Sequence, residues 1–168
     1  MRSIHLAHGA SGSAVSMAPH VRGLHAREFD AHAVQLPRGR AEAAVATFRA
    51  AVPPSADAVI GGHSFGGRVA SLLAAEERYA GLILLSYPLH PPGGSERWDE
   101  RTTHWRRITC PVLLLSGDRD PFARIELLRQ AVERLPAAQL VIYPGLGHGI
   151  GRVLDAALDQ VAAFVRAL

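Results

Sequence analysis

Short apolar runs alternate along the chain with longer stretches whose apolar residues recur every three to four positions. The runs at Ser3–Ala7, His32–Leu36, Ala58–Gly62, Gly81–Ser86, Val112–Gly117 and Leu140–Tyr143 have the length and composition of buried strands. Helical periodicity is predicted near Ser13–His25, Arg40–Ala51, Gly66–Glu77, Ile125–Leu135 and Arg152–Ala167. In the last of these, Val153, Leu154, Ala157, Leu158, Val161 and Val165 fall on one face of a 3.6-residue period. Apolar strands separated by amphipathic helices are the pattern of a parallel sheet covered on both faces. Right-handed crossovers then wind the chain into a doubly wound α/β fold. The expectation is a mostly parallel six-stranded sheet with helices on both faces, in one domain over residues 1–168.

One segment breaks the alternation. Pro88 to Arg107 holds Pro91-Pro92-Gly93-Gly94 and both tryptophans, Trp98 and Trp105, with no strand pattern. A loop this long inside a compact domain is usually functional or disordered, and the tryptophans point to a loop packed onto the body.

Composition narrows the class. With 168 residues, 48% of them hydrophobic, the chain can bury a core without staples. No apolar run approaches the ~20 residues that span a bilayer, so no membrane role is expected. Met1–His8 is short and carries His5 and His8, unlike a secretory leader. The single cysteine, Cys110 before Pro111, excludes an internal disulfide and fits a packing role in a reducing, cytoplasmic setting. All 18 basic residues are arginine, and the net charge is only +3. That excess is small and spread out, so a nucleic-acid partner is not expected.

The strongest chemical signal is Gly61-Gly62-His63-Ser64-Phe65-Gly66-Gly67. It follows the apolar Ala58-Val59-Ile60 and opens the helical stretch from Arg68, which is G-x-S-x-G in a strand–turn–helix setting. A serine on so sharp a turn needs neighbours without bulk two residues away, and Gly62 and Gly66 supply them. A dinucleotide fingerprint fails on glycine spacing, and a phosphate-binding P-loop needs a lysine that this chain lacks.

A serine hydroxyl needs a base, and the base an orienting acid. Downstream, Ser116-Gly117-Asp118-Arg119-Asp120-Pro121 ends one strand in an acidic turn, and Gly145-Leu146-Gly147-His148-Gly149 follows the last. Both lie at strand C-termini, where open α/β sheets place their sites. The candidate catalytic residues are therefore Ser64, Asp120 and His148, with Asp118 expected to cap its turn. The oxyanion hole is assigned to the Phe65 amide and, from His8-Gly9-Ala10-Ser11-Gly12, the Ala10 amide. His63 is expected to point away from the pocket, and His5 and His32 to be packed. No histidine or carboxylate pair has metal-ligand spacing, so neither metal nor other cofactor is expected.

Taken together, these motifs resemble the α/β-hydrolase superfamily. Leu6-Ala7-His8-Gly9-Ala10, Ser86-Tyr87-Pro88-Leu89-His90-Pro91-Pro92-Gly93 and Gly117-Asp118-Arg119-Asp120-Pro121-Phe122 are similar to a subgroup related to dienelactone hydrolases. That subgroup includes testis-expressed and non-specific-lethal-complex hydrolase-like proteins. The resemblance implies a Ser64–Asp120–His148 triad in a minimal hydrolase fold without a cap domain. The resemblance leaves the substrate undefined; the serine and its partners point to acyl transfer to water from a small ester, lactone or related acyl substrate. Hydrolases of this type usually open with an extra antiparallel hairpin, whereas the first strand here already leads into His8-Gly9. The sheet edge left open makes a homodimer an expectation. With only Pro88–Arg107 to cover the site, an open pocket edged by Tyr87, His90 and Trp105 is expected. The alternative is a hydrolase-like scaffold with little activity that acts as a protein-interaction module.

Overall fold

A computed structural model describes residues 2–168. Six strands, β1 (Ser3–Ala7), β2 (Asp30–Val34), β3 (Ser55–His63), β4 (Tyr79–Leu85), β5 (Val112–Gly117) and β6 (Ala138–Tyr143), form one sheet in the order β2-β1-β3-β4-β5-β6. Every pairing is parallel, so the sheet is wholly rather than mostly parallel. The order reverses between β1 and β3, which makes the carboxyl end of these two strands the topological switch point.

Five helices cover the sheet: α1 (Ala18–His25), α2 (Ala41–Ala51), α3 (Phe65–Ala74), α4 (Ile125–Val132) and α5 (Leu154–Ala167). Strand alternation sorts the core into two layers. Leu82, Leu84, Val112 and Leu114 pack with Phe48 of α2, Val69 and Leu73 of α3 and Leu128 of α4. Their neighbours Ile83, Leu85, Leu113 and Leu115 face the other way, onto Leu24 of α1 and Leu158, Val161 and Val165 of α5. Burying both faces is what made these strands read as unbroken apolar runs.

Several boundaries differ from the periodicity: β3 starts at Ser55 rather than Ala58, and α3 and α4 stop at Ala74 and Val132, three residues early. The helix expected from Ser13 is a 3-10 turn at Ala14–Met17, and α1 begins only at Ala18. Pro19 sits in its first turn, where a missing N–H costs nothing. Strand β2 lies two residues earlier than expected. Because β2 is an edge strand, His32 is not packed: it is half exposed, stacks on His5 at 5.1 Å between ring centroids and contacts Asp30 at 2.8 Å. Residues 88–107 form three 3-10 turns laid against the body, with no cap domain, as expected from the tryptophans and the lack of a large insertion. Trp105 anchors them, fully buried and edge-on to Tyr87 at 4.9 Å. Trp98 lies under the Arg134 guanidinium at 4.5 Å. Cys110 is buried, and burial pushes its thiol pKa up to about 11, so it stays an inert packing group. Among the described residues no helix is long and apolar enough to cross a membrane.

Candidate active site

Ser64 links the end of β3 to the start of α3 with φ 50° and ψ −113°, a left-handed conformation that side chains avoid. Two backbone bonds hold it there: its N–H donates to Leu85 C=O at 2.9 Å, and its C=O accepts from Arg68 N–H at 3.0 Å. The flanking glycines are required by space. A Cβ on Gly62 would stand 2.5 Å from the Ala7 carbonyl oxygen, and one on Gly66 only 2.4 Å from the same atom. The elbow thus rests directly on the end of β1.

His148 comes from the loop after β6. Its Nε2 lies 2.8 Å from Ser64 Oγ and its Nδ1 2.8 Å from Asp120 Oδ2. With the carboxylate beside Nδ1, the fitting tautomer carries its proton there and leaves Nε2 to accept from the serine. Asp120 follows β5, and its side chain is wholly buried. Its second oxygen accepts the Phe122 N–H at 2.8 Å, so the carboxylate is fixed at both ends. Asp118 faces elsewhere: its Oδ1 accepts the Gly145 N–H at 2.7 Å and ties the β5 turn to the β6 turn. Phe122, which the sequence reading passed over, packs its ring 4.4 Å from that of His148. Its place two residues after Asp120 was the available signal.

Ala10 and Phe65 both border the space beside Ser64. Phe65 opens α3, where N–H groups have no intrahelical acceptor and the helix dipole favours negative charge. The Ala10 loop is held in place by buried His8. Its Nε2 accepts the Leu36 N–H at 3.0 Å, and its Nδ1–H donates to Gly9 C=O at 2.8 Å. His8 therefore pins the end of β1 to the segment after β2.

Two clefts meet at Ser64 and share Ala10 and Phe122. One, of about 560 Å³, runs past Phe65, Arg68 and Arg40 toward Arg97 and Arg101. The other, of about 520 Å³, runs past His148, His63, His20, Met17 and Ile150. His63 is thus turned into the site, not away from it, and its Nε2–H reaches the His148 carbonyl at 3.2 Å. Burial lowers the pKa of His63, and burial together with His63 lowers that of His20 to about 4, so both rings are neutral near pH 7.

Tyr87, His90 and Trp105 do not edge either cleft; their exposures are 2%, 1% and 0%. Each is consumed by holding the 88–107 loop down. Tyr87 O–H donates to Arg101 C=O at 2.6 Å. His90 Nε2 accepts the Arg124 N–H at 3.1 Å, while its Nδ1–H donates to Pro91 C=O at 2.9 Å, which fastens that loop to the one carrying Asp120. The pocket rim is made instead by Pro88, Arg97, Glu100 and Arg101. Among the described residues no group of three His, Cys, Asp or Glu side chains is placed to hold a metal ion.

Known proteins share this architecture. The fold is similar to a monoacylglycerol lipase from Paleococcus ferrophilus at 16% identity, over 98% of this chain and 94% of that one, with a TM-score of 0.82. A predicted CIB-like hydrolase from Thermoplasma acidophilum matches at 21% identity over 99% and 87%, with a TM-score of 0.76. Est1E from Butyrivibrio proteoclasticus, a structure with bound ferulic acid, matches at 17% identity over 99% and 89%, also at 0.76. At such identities these likenesses establish the fold. A family model described as an alpha/beta hydrolase domain matches residues 2–153, and the chain therefore belongs to the α/β-hydrolase family of enzymes.

Proposed function

We propose that this single-domain protein is a serine hydrolase that cleaves a small ester, lactone or related acyl substrate through an acyl-enzyme on Ser64. The observation that carries the reading is the pair of 2.8 Å contacts running from Ser64 through His148 to buried Asp120. In the first half-reaction Ser64 Oγ bonds to the carbonyl carbon as its proton passes to His148 Nε2. Asp120 orients the ring and stabilises the imidazolium. The oxyanion accepts from the Ala10 and Phe65 amides. Collapse breaks the bond to the leaving oxygen, which takes the proton from His148. Water then repeats the sequence on the acyl-enzyme and restores Ser64.

Family membership supports hydrolysis, and the resemblance to dienelactone-hydrolase-related proteins supports esters and lactones as the first substrates to test. The absence of a cap over either cleft supports a small substrate. The test is labelling of wild type and Ser64→Ala with a fluorophosphonate probe, followed by turnover on an ester and lactone panel. Wild type is expected to label and the variant not, with turnover falling by up to ~10⁶-fold. A well-folded wild type that does not label would overturn the proposal and leave a hydrolase-like interaction module as the better account.

A further inference from the structure

The two clefts at Ser64 differ in charge, and the proton path assigns each a half of the substrate. His148 delivers its proton to the leaving oxygen, so the leaving group departs into the cleft that His148 lines. The acyl chain then occupies the opposite cleft, beside Phe65 and Arg68. That cleft is bordered by four arginines and two glutamates. Arg40 and Arg68 share Glu42 at 3.8 and 2.7 Å, and Arg97 takes Glu100 at 3.0 Å. Arg101 has no carboxylate at ion-pair distance among the described residues and donates only to Pro88 C=O, at 2.9 Å. Arg68 borders the cleft with its Nη2 on Glu42, and its Nη1 has no hydrogen-bond partner among the described residues.

We infer that this cleft binds a carboxylate on the acyl chain, held by Arg68 and Arg101, so that the substrate is a half-ester of a short dicarboxylic acid with an apolar alcohol. The inference rests on the hydrolase reading above. Guanidinium groups suit the role because they grip carboxylates through paired N–H donors. Burial, with Arg68 and Arg97 nearby, lowers the pKa of Arg101, while Tyr87 and Glu100 act the other way. Arg68 stands four residues after Ser64 on α3, about 6 Å of helical rise, which suits a few methylenes between the reacting carbonyl and the carboxylate. The leaving-group cleft offers no arginine: Met17, Ile150 and Phe122 are apolar, and His20 and His63 beside them are neutral near pH 7.

The test compares monobenzyl adipate with benzyl hexanoate and benzyl 6-aminohexanoate, following released benzyl alcohol at low and high salt. The anionic ester is expected to exceed the neutral one in kcat/KM by about tenfold or more, chiefly through KM, with the cationic ester poorest. The preference should shrink with salt. It should collapse toward parity in Arg101→Gln and Arg68→Gln and persist in Arg106→Gln, which lies outside the cleft. Arg68 is held by Glu42, whereas Arg101 has no carboxylate at ion-pair distance among the described residues, so Arg101 carries the decision if Arg68→Gln fails to fold.

Monobenzyl adipate binding to Ser64→Ala, measured calorimetrically with and without Arg101→Gln, gives a second readout that needs no turnover. Equal or better cleavage of the neutral ester, or a preference unmoved by Arg101→Gln, overturns the inference and leaves the hydrolase reading standing. If wild type neither labels with the fluorophosphonate nor cleaves any of these esters, the hydrolase reading fails, and the binding comparison alone decides whether the arginines hold a carboxylate; if it labels but cleaves none of them, the half-ester inference alone is overturned.

Discussion

Replacing Ser64 by glycine should give a more stable protein than replacing it by alanine, although both remove the same hydroxyl. The comparison isolates backbone strain. At φ 50° and ψ −113° the residue has the conformation of the first central position of a type II′ turn, where glycine is preferred. A residue with a Cβ held in such a region costs about 1–3 kcal/mol. Glycine escapes that cost but gives back about 0.5–1 kcal/mol through the freedom of its unfolded chain. Both variants lose the 2.8 Å contact with His148, so that loss cancels in the difference. What remains is about 1 kcal/mol in favour of glycine, which for a chain of this size corresponds to about 2–4 °C in Tm. Urea unfolding of the two variants at one pH measures it, with unchanged m-values as the check that the unfolded state is the same. An alanine variant as stable as the glycine variant, or more so, would refute the claim that the elbow stores strain. The strain would then no longer explain why the hydroxyl stands clear of the helix.

The two aspartates after β5 should separate cleanly. Asp120→Asn is expected to cut kcat by about 10⁴-fold by favouring the wrong histidine tautomer. Asp118→Asn, which only weakens a cap on Gly145, should keep most activity and lose about 1 kcal/mol of stability; equal damage from both would refute the assignment of roles. Stability should also fall on mild acidification, because buried His104, bonded to Ser71 at 2.8 Å, has its pKa lowered to about 4 by burial and by Arg68 and Arg107. A histidine depressed in the folded state contributes stability that is complete above pH 6.5 and is lost as pH falls toward 4. For this shift the loss is about 2 kcal/mol at pH 5. Unfolding curves at pH 7 and pH 5 should therefore converge in part for His104→Gln, and parallel losses in variant and wild type would count against a buried neutral ring.

The strands and the elbow were legible in the sequence because each is dictated by a local rule. Leu82-Ile83-Leu84-Leu85 is apolar at every position because alternate residues enter opposite layers, and period analysis detects that directly. The turn at Ser64 announces itself because Gly62 and Gly66 touch the Ala7 carbonyl and admit no Cβ. The errors fall where tertiary packing decides. Tyr87, His90 and Trp105 have the composition of a binding rim, yet the 88–107 loop spends them on its own anchorage. With those side chains turned inward, Arg97 and Arg101 are left at the rim, and no periodicity in the loop could have said so. Arg68 is a different case. One helical turn beyond the serine, it was within reach of spacing alone.

The opposite character of the two clefts follows from the winding of the sheet. The chain leaves β1 for α1 on one face and, after the order reverses, leaves β2 and β3 for α2 and α3 on the other. The loops ending β1 and β3 therefore diverge above the switch point, and Ser64 stands between them with a groove on either side. Each groove takes its walls from the helices of its own face. The segment around α1 supplies Met17 and His20, and the approach to α5 supplies Ile150. The start of α2 and the first turn of α3 supply Arg40, Glu42 and Arg68. Substitutions at the entrances of α2 and α3 should then alter which acyl chain is accepted, and those around α1 which alcohol leaves. Arg40, Glu42, Met17, His20 and Ile150 make none of the contacts among Ser64, His148 and Asp120, so substitutions at these five positions can change specificity on this fold without disturbing its chemistry.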